Sequence, residues 1–238
     1  MARHGTTDRV HLRVLGVEAA SPESPFATVT AMSFRTAMSA ALPEGLAYPE
    51  ELLALFDWIE ARSLVRDGVG HLFPPEARDF RFDEATGRAE VHGGTTITFF
   101  PAEGPWGNLP PDRVHVFGQT GADGSRIALF RDDEGRSRLV HVGSGSGSVW
   151  WGCLGEALDF LRLIAIGYDE LAFPESFVRP PSEHPEITVH PNEPFREWLT
   201  STYGVSIPTR GDEVCPKSPA MDDAPCDDPF WRFVDAHR

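Results

Sequence analysis

Apolar residues recur at helical spacing in four segments of the chain, and the pattern predicts one helix in each. The first segment, residues 48–64, has Pro49 in its opening turn and two glutamates beside it, which suits the positive end of a helix. Its apolar face is formed by Leu52, Leu55, Phe56 and Ile59. We expect this helix to end near Arg62.

The other three helical segments lie in the C-terminal half of the chain. Residues 157–171 are apolar on nearly every side, which predicts a helix covered by other elements and capped by Gly167. A further helix is predicted to begin at Asn192, a favoured N-cap, and to stop at Gly204. The last is predicted to begin at Asp228, because a proline follows this N-cap residue in the first turn.

Between the first two helices the apolar period changes to two, which predicts β-strands. Alternating segments occur at residues 95–100, 113–118, 125–130 and 137–142. The last three are separated by the segments 120–124 and 132–135, whose Gly and Asp residues are typical of hairpin turns. The pattern therefore predicts at least three consecutive antiparallel strands.

The order of helix, antiparallel sheet and several helices is typical of an α+β fold. We predict a mainly antiparallel, mixed sheet that is flanked by helices. Residues 1–47, with short apolar runs at 10–15 and 27–34, are expected to form strands or irregular cover. Residues 48–210 are expected to form the α+β domain, and residues 211–238 an acidic loop and a helix that packs on the same domain.

The composition narrows the range of partners. Thirty-six Asp and Glu against 21 Lys and Arg give a formal charge of −15, which repels nucleic acids and anionic lipids. We therefore expect no direct nucleic-acid partner and no membrane partner. The polar start of the chain and the absence of a long apolar run predict a cytoplasmic protein. The same charge suits either a basic protein partner or solubility alone, and both interpretations stay open.

The cysteines and histidines do not predict a metal site. Cys153 precedes an apolar helix and is interpreted as a small core residue. Cys215 and Cys226 would make four ligands with His184 and His190, but no pair among them has a recognised ligand spacing. We expect no metal and no cofactor.

A glycine- and serine-rich run at residues 143–148 follows a predicted strand and precedes a predicted helix. Backbone amides in such a position can hold an anion, and the candidate ligand-binding residues are Gly143, Ser144, Gly145, Ser146 and Gly147. The lysine of a phosphate-binding loop is missing, however, and the serines are in the wrong register for a nucleophile elbow. The favoured interpretation is a turn after an edge strand.

Aromatic and acidic residues supply the candidate contacts to a protein partner. Trp150 and Trp151 are adjacent, so on a strand their indoles point to opposite faces and one of them is expected outward unless helices cover both. The candidate partner-binding residues are Trp106, Asp132, Asp133, Glu134, Trp150 and Trp151.

Residues 118–171 resemble the core of the SUKH superfamily, which groups yeast cell-wall-assembly regulators with bacterial immunity proteins. The resemblance lies in a Gly/Asp turn, a charged hairpin, a strand that ends in a glycine-rich turn, and a helix of the type DFLRLIAIGYDEL. Residues 192–208 and 228–234 resemble the C-terminal extension of many bacterial members. The two tryptophans at 150 and 151 depart from the smaller aliphatic residues usual in the family.

The resemblance implies a mixed, mainly antiparallel sheet flanked by helices, and no catalytic activity. Bacterial members with an assigned role bind and neutralise a toxin, often a nuclease. We therefore expect a non-enzymatic immunity or regulatory protein that occludes a basic toxin domain. Two other hypotheses stay open, namely an enzyme that combines the glycine-rich turn with Asp132, Asp133 or His141, and a structural subunit that associates through its tryptophans. The sequence leaves the oligomeric state open.

Overall fold

The computed structural model describes residues 32–74, 76, 81–103, 106–145, 150–215 and 227–237. Within these residues the chain forms five α-helices and ten β-strands, together with short 3-10 turns. The helices are α1 (Phe34–Ala40), α2 (Glu50–Ala61), α3 (Ala157–Ile166), α4 (Glu193–Tyr203) and α5 (Pro229–Asp235). The strands are β1 (Val65–Arg66), β2 (Val69–His71), β3 (Arg81–Asp83), β4 (Arg88–His92), β5 (Thr98–Phe99), β6 (Val114–Gln119), β7 (Arg126–Arg131), β8 (Ser137–Val142), β9 (Trp151–Cys153) and β10 (Ile187–His190).

The strands form two sheets. The larger sheet has seven antiparallel strands in the order β1-β2-β5-β6-β7-β8-β9. The smaller sheet has the order β10-β4-β3, in which β10 runs parallel to β4 and β3 antiparallel to it. The predicted α+β class is therefore confirmed, and the meander of β6, β7 and β8 is the part of the sheet that the alternating pattern predicted.

Both faces of the larger sheet are covered. On one face, Ile127 and Leu129 of β7 join a large core that includes α1, α2, α3 and α4. On the other face, Ala128 and Phe130 join a smaller core that contains Phe230 and Val234 of α5. Successive side chains of a strand point to opposite faces, and a strand between two cores needs apolar residues on both. In β7 the four consecutive residues 127–130 are apolar and buried.

The helix ends follow the predicted capping residues. Gly167 ends α3 in the left-handed conformation with φ of 107°, and Gly204 ends α4 in the same way. The side chain of Asn192 accepts a hydrogen bond from the Phe195 amide, and that of Asp228 accepts two from the first turn of α5. These caps confirm the predicted boundaries, since each satisfies backbone groups that a helix leaves unpaired.

Two predictions of local structure were wrong. Residues 34–40 are helical rather than strand or irregular cover, because the Ser33 side chain caps the helix while Phe34 and Met38 face the core at a spacing of four. The glycine-rich run leads into strand β9 rather than a helix, so β8 is an inner strand and not an edge. The predicted run at 10–15 lies outside the described residues, as does most of the predicted acidic loop.

Candidate functional site

The acidic hairpin between β7 and β8 is organised around Asp132, whose side chain is 2% exposed. Its carboxylate accepts hydrogen bonds from the Nε atoms of Arg136 and Arg138 at 2.9 and 2.7 Å, and from the backbone amides of Glu134 and Arg136. Burial alone would raise its pKa, but these donors outweigh burial and hold the pKa of Asp132 far below the usual range. Asp132 is thus a structural residue and not the accessible partner contact that the sequence predicted.

The other acidic residues of this hairpin are exposed but paired with arginines. Asp133 lies 2.8 Å from Nη2 of Arg113, and Glu134 lies 2.8 Å from Nη2 of Arg136. Beside the hairpin, Asp112 lies 3.5 Å from Arg131. Four carboxylates are balanced by four guanidinium groups at this end of the sheet, so it gives a basic partner little net attraction.

The candidate tryptophans are largely covered. Trp150 is 2% exposed, stacks on His141 at a centroid distance of 4.2 Å and faces the large core. Trp151 faces the smaller core, where it stacks on Phe230 of α5 at 6.3 Å. The two indoles do point to opposite faces, but each face has its own cover, so Trp150 is not a surface contact. Trp106 is half-buried beneath the guanidinium group of Arg126.

The glycine-rich turn is held by a carboxylate. The Oγ of Ser144 donates a hydrogen bond to Oδ2 of Asp123 at 2.9 Å, and Ser125 donates two more to the same side chain. Burial raises the pKa of Asp123, but these hydrogen bonds outweigh it and leave the pKa lowered. An ionised carboxylate at this position disfavours an anionic ligand at Gly143, Ser144 and Gly145. The candidate residues Ser146 and Gly147 lie outside the described residues.

The groups that the enzyme hypothesis requires do not converge. Asp132 and Asp133 lie in the β7–β8 turn, whereas His141 pairs with Ile127 near the other end of the hairpin. Five strand positions separate them, or roughly 16 Å at the usual rise of a strand. His141 is itself fully buried, with Nδ1 3.0 Å from the carbonyl oxygen of Trp150. The glycine-rich turn therefore has no accessible acid or base from this set beside it.

A largely apolar groove of about 510 Å³ lies away from these predicted residues, between residues 168–185 and strand β10. We call it the acidic groove. Its lining combines apolar side chains with carboxylates. We call the apolar residues Phe173, Val178, Ile187 and Val189 the floor, and the carboxylates Asp169, Glu170, Glu175 and Glu183 the rim.

Hydrogen bonds and short turns hold the wall of the acidic groove in place. The hydroxyl of Tyr168 lies 2.8 Å from the carbonyl oxygen of Arg179 and accepts a hydrogen bond from the backbone amide of Gly211. Residues Pro174–Val178 and Pro181–Glu183 form 3-10 turns that begin with proline. Because proline fixes φ, this wall is largely preformed and loses little conformational entropy when a ligand binds.

The acidic groove combines exposed apolar surface with unbalanced charge. Phe173 is 37% exposed and Val178 54%, which places two of the four exposed large hydrophobic residues of the described chain in one groove. None of the four rim carboxylates forms an ion pair with an arginine among the described residues, in contrast to those of the hairpin. Among the described residues that line the acidic groove, Arg179 is the only Arg or Lys.

The carboxylates of the rim influence one another. Burial raises the pKa of Glu170, and the neighbouring charges of Asp169 and Asp123 raise it further, although the Ala122 amide donates a hydrogen bond that opposes them. A cation bound in the groove would relieve this repulsion. The arrangement therefore favours a ligand that carries both positive charge and apolar surface.

Sequence reasoning missed this groove, although it left two signals. The Pro-rich connection at residues 174–191 contains the short run Ile187–His190, which has three β-branched residues and forms β10. It also contains three glutamates against one arginine, Arg179. Neither signal identifies a site by itself, because the floor and the rim come together only when β10 pairs with β4.

Comparison with known proteins adds no family to this description. No protein-family model matches the chain, and it has no significant match among curated proteins or among solved structures. No helix in the described ranges has the length and apolar character needed to cross a membrane. Over the same ranges, no group of three His, Cys, Asp or Glu side chains is placed to hold a metal ion. Burial is the main cause that raises the pKa values of the Cys153 and Cys215 thiols to about 12.

Proposed function

We propose that this protein is a non-catalytic binding domain whose acidic groove holds a basic, partly apolar segment of another protein. The observation that carries the proposal is the coincidence of exposed apolar floor residues, Phe173 and Val178, with four rim carboxylates that no arginine neutralises among the described residues. Apolar contact supplies affinity in such a groove, and the unpaired charge selects the sign of the ligand.

The charge of the whole chain acts in the same direction. A formal charge of −15 attracts a cationic partner over a distance set by the ionic strength and speeds its association. The carboxylates of the β7–β8 hairpin already have arginine partners, whereas those of the acidic groove do not. We therefore expect a cationic partner to bind at the groove rather than at the hairpin.

The finer role that we propose is that of an immunity or regulatory protein, on the strength of the resemblance of residues 118–171 to the SUKH superfamily. In that role the chain would occlude a basic toxin domain in the cytoplasm. Binding of one such domain to one copy of this chain, with loss of the toxin's activity in the complex, would support the role.

Neutralising the rim of the acidic groove tests the proposed function. The probe is an array of 12-residue peptides with basic, acidic or uncharged side chains between apolar ones. We expect basic peptides to bind best, and to bind about fivefold more weakly to the variant E175Q/E183Q, because two favourable charges are lost. Raising the salt from about 50 to about 300 mM should weaken binding to the unaltered protein.

The matched control removes two exposed charges elsewhere. The variant D133N/E134Q loses the same formal charge at the hairpin tip, where both carboxylates are paired with arginines. It should bind the basic peptides as the unaltered protein does. Equal losses in the two variants, or a preference for acidic peptides, would show that the groove does not select the ligand.

A further inference from the structure

One wall of the acidic groove includes the outer strand of a β-sheet. β10 is the outer strand of the smaller sheet and pairs only with β4, in the register Ile187↔Ala89 through His190↔His92. Its residues Ile187 and Val189 line the groove. A ligand in the groove therefore lies beside an edge strand, which can accept another strand.

The direction of the backbone groups of β10 follows from its pairing. The carbonyl oxygens of Glu186 and His190 accept hydrogen bonds from the amides of Ala89 and Gly93, so they point towards β4. In a parallel strand, the backbone groups of alternate residues bond to the same neighbouring strand. The amide and carbonyl of Thr188 therefore also point towards β4. The amides of Ile187 and Val189, and the carbonyl of Val189, then face the open edge, whereas the carbonyl of Ile187 already accepts a hydrogen bond from Nη2 of Arg88.

The other sheet edges of the described chain are less suited to pairing. β1 has only two residues, and β3 is three residues long with charged residues at both ends. β9 is covered by α5, and the amide of Cys153 already donates to Asp228. By contrast, β10 has four residues, three of them β-branched, without proline or a bulge, and this is the type of edge that pairs readily.

We propose that the partner segment binds in the acidic groove as an extended strand added to the free edge of β10. This inference rests on the proposed function and specifies its ligand. Side chains of a strand alternate between its two faces, so apolar residues on one face would contact Val178 and Val189, and the long basic side chains between them would extend around the strand towards the carboxylates of the groove. The preferred ligand therefore alternates basic and apolar residues over roughly the length of β10, about 13 Å.

Backbone methylation of a peptide tests this mode of binding without altering the protein. The probe is an acetylated and amidated octapeptide of alternating Lys and Val, in three forms: unmodified, N-methylated at every Val, and N-methylated at every Lys. Only one alternate set of amides of an added strand faces β10. We expect methylation of that set to weaken binding by about tenfold or more, and methylation of the other set by less than about threefold.

A second measurement locates the strand. Hydrogen exchange of the Ile187 and Val189 amides should slow when the unmodified octapeptide binds, while exchange at Thr188 and His190, which already pair with β4, should change little. An isomeric octapeptide with four Lys followed by four Val serves as the control for composition and should bind more weakly.

The outcomes separate this inference from the proposed function. If both methylated peptides bind equally well or equally poorly while E175Q/E183Q still weakens the unmodified peptide, strand addition is wrong and the groove remains a binding site. If the unmodified peptide binds without any dependence on the rim charges, the proposed function itself fails. Strand addition also fails if exchange at Ile187 and Val189 is unchanged at saturating peptide.

Discussion

At the scale of single residues, His141 is an example of ionisation set by burial. Its imidazole is fully buried against Trp150, and burial lowers its pKa from 6.5 to about 4. The Trp150 carbonyl and the Asp123 carboxylate favour the charged form but do not compensate for the lost solvation. The histidine is therefore neutral in the folded protein at neutral pH and packs as a core residue.

This burial predicts a loss of stability in mild acid. The unfolded chain takes up a proton at His141 near pH 6.5, whereas the folded chain does so only near pH 4. Between these values the unfolded state binds more protons, so the free energy of unfolding falls as the pH falls. We expect a contribution of about 2 kcal/mol between about pH 7 and about pH 5, measured by urea denaturation.

The variant H141Q should show a correspondingly weaker dependence on pH over this range. H237Q, at an exposed residue near the C-terminus, is the matched control and should retain the dependence of the unaltered protein. If H141Q and the unaltered protein lose the same free energy between the two pH values, His141 is not the group responsible.

At the scale of elements, the β7–β8 hairpin depends on one buried carboxylate. Asp132 binds two backbone amides of its own turn and two arginine side chains, one of which, Arg138, lies on β8. It therefore fixes both the conformation of the turn and the register of the strands that follow. Asp133, the next residue along the chain, is exposed and pairs with Arg113, the residue that precedes β6.

Replacing these two aspartates should separate their roles. D132N removes a charge that several buried hydrogen bonds require, and we expect a loss of roughly 2 kcal/mol in the free energy of unfolding at neutral pH. D133N breaks an exposed ion pair and should cost less than about 0.5 kcal/mol. Chemical denaturation of both variants measures the difference, and similar costs for the two would contradict the assignment of Asp132 as the organising residue.

The elements themselves differ in how well the sequence predicts them. Helices α2, α3 and α4 have apolar patterns over ten or more residues, and α3, α4 and α5 each have a capping residue that the sequence predicted, so local residues were sufficient to place these helices. Strand β10 has four residues, and its pairing with β4 joins positions about a hundred residues apart. A short strand acquires its stability from such a partner rather than from its own residues, and the sequence pattern did not reveal it.

At the scale of the whole molecule, the larger sheet separates two cores with different roles. The large core contains Tyr168 and Phe177, which support the wall of the acidic groove. The smaller core on the opposite face contains Phe230 and Val234 of α5. Helix α5 therefore stabilises the smaller core, whereas the large core supports the proposed binding surface.

This separation predicts that stability and binding respond independently to changes in α5. F230A removes a fully buried ring, and we expect it to lower the free energy of unfolding by about 3–4 kcal/mol. The affinity of the folded protein for basic peptides should stay within about twofold, since no contact of the groove is altered. R232A, at an exposed residue of the same helix, should change neither quantity beyond about 0.5 kcal/mol. A large loss of peptide affinity in F230A under conditions where it is folded would mean that the two faces are coupled.

The candidate site shows the limits of prediction more clearly than the fold does. Asp132 and Trp150 were predicted as surface contacts because acidic turns and tandem tryptophans are common at interfaces, but the first has arginine partners and the second has a histidine and a core beside it. Residue type and spacing do not show which neighbours a side chain contacts, because that depends on the geometry of the folded hairpin and sheet.

The sequence by itself determined the α+β class, the positions of four helices and their caps, the central meander and the strongly acidic character of the chain, because each depends on residues close together or on composition alone. Only the tertiary structure decided which carboxylates are neutralised by arginines, which tryptophans are covered, and that Phe173, Val178 and the edge of β10 form one groove. These properties depend on how strands, turns and helices are placed in the folded chain, and the free energy that fixes this arrangement comes from burying the core as a whole.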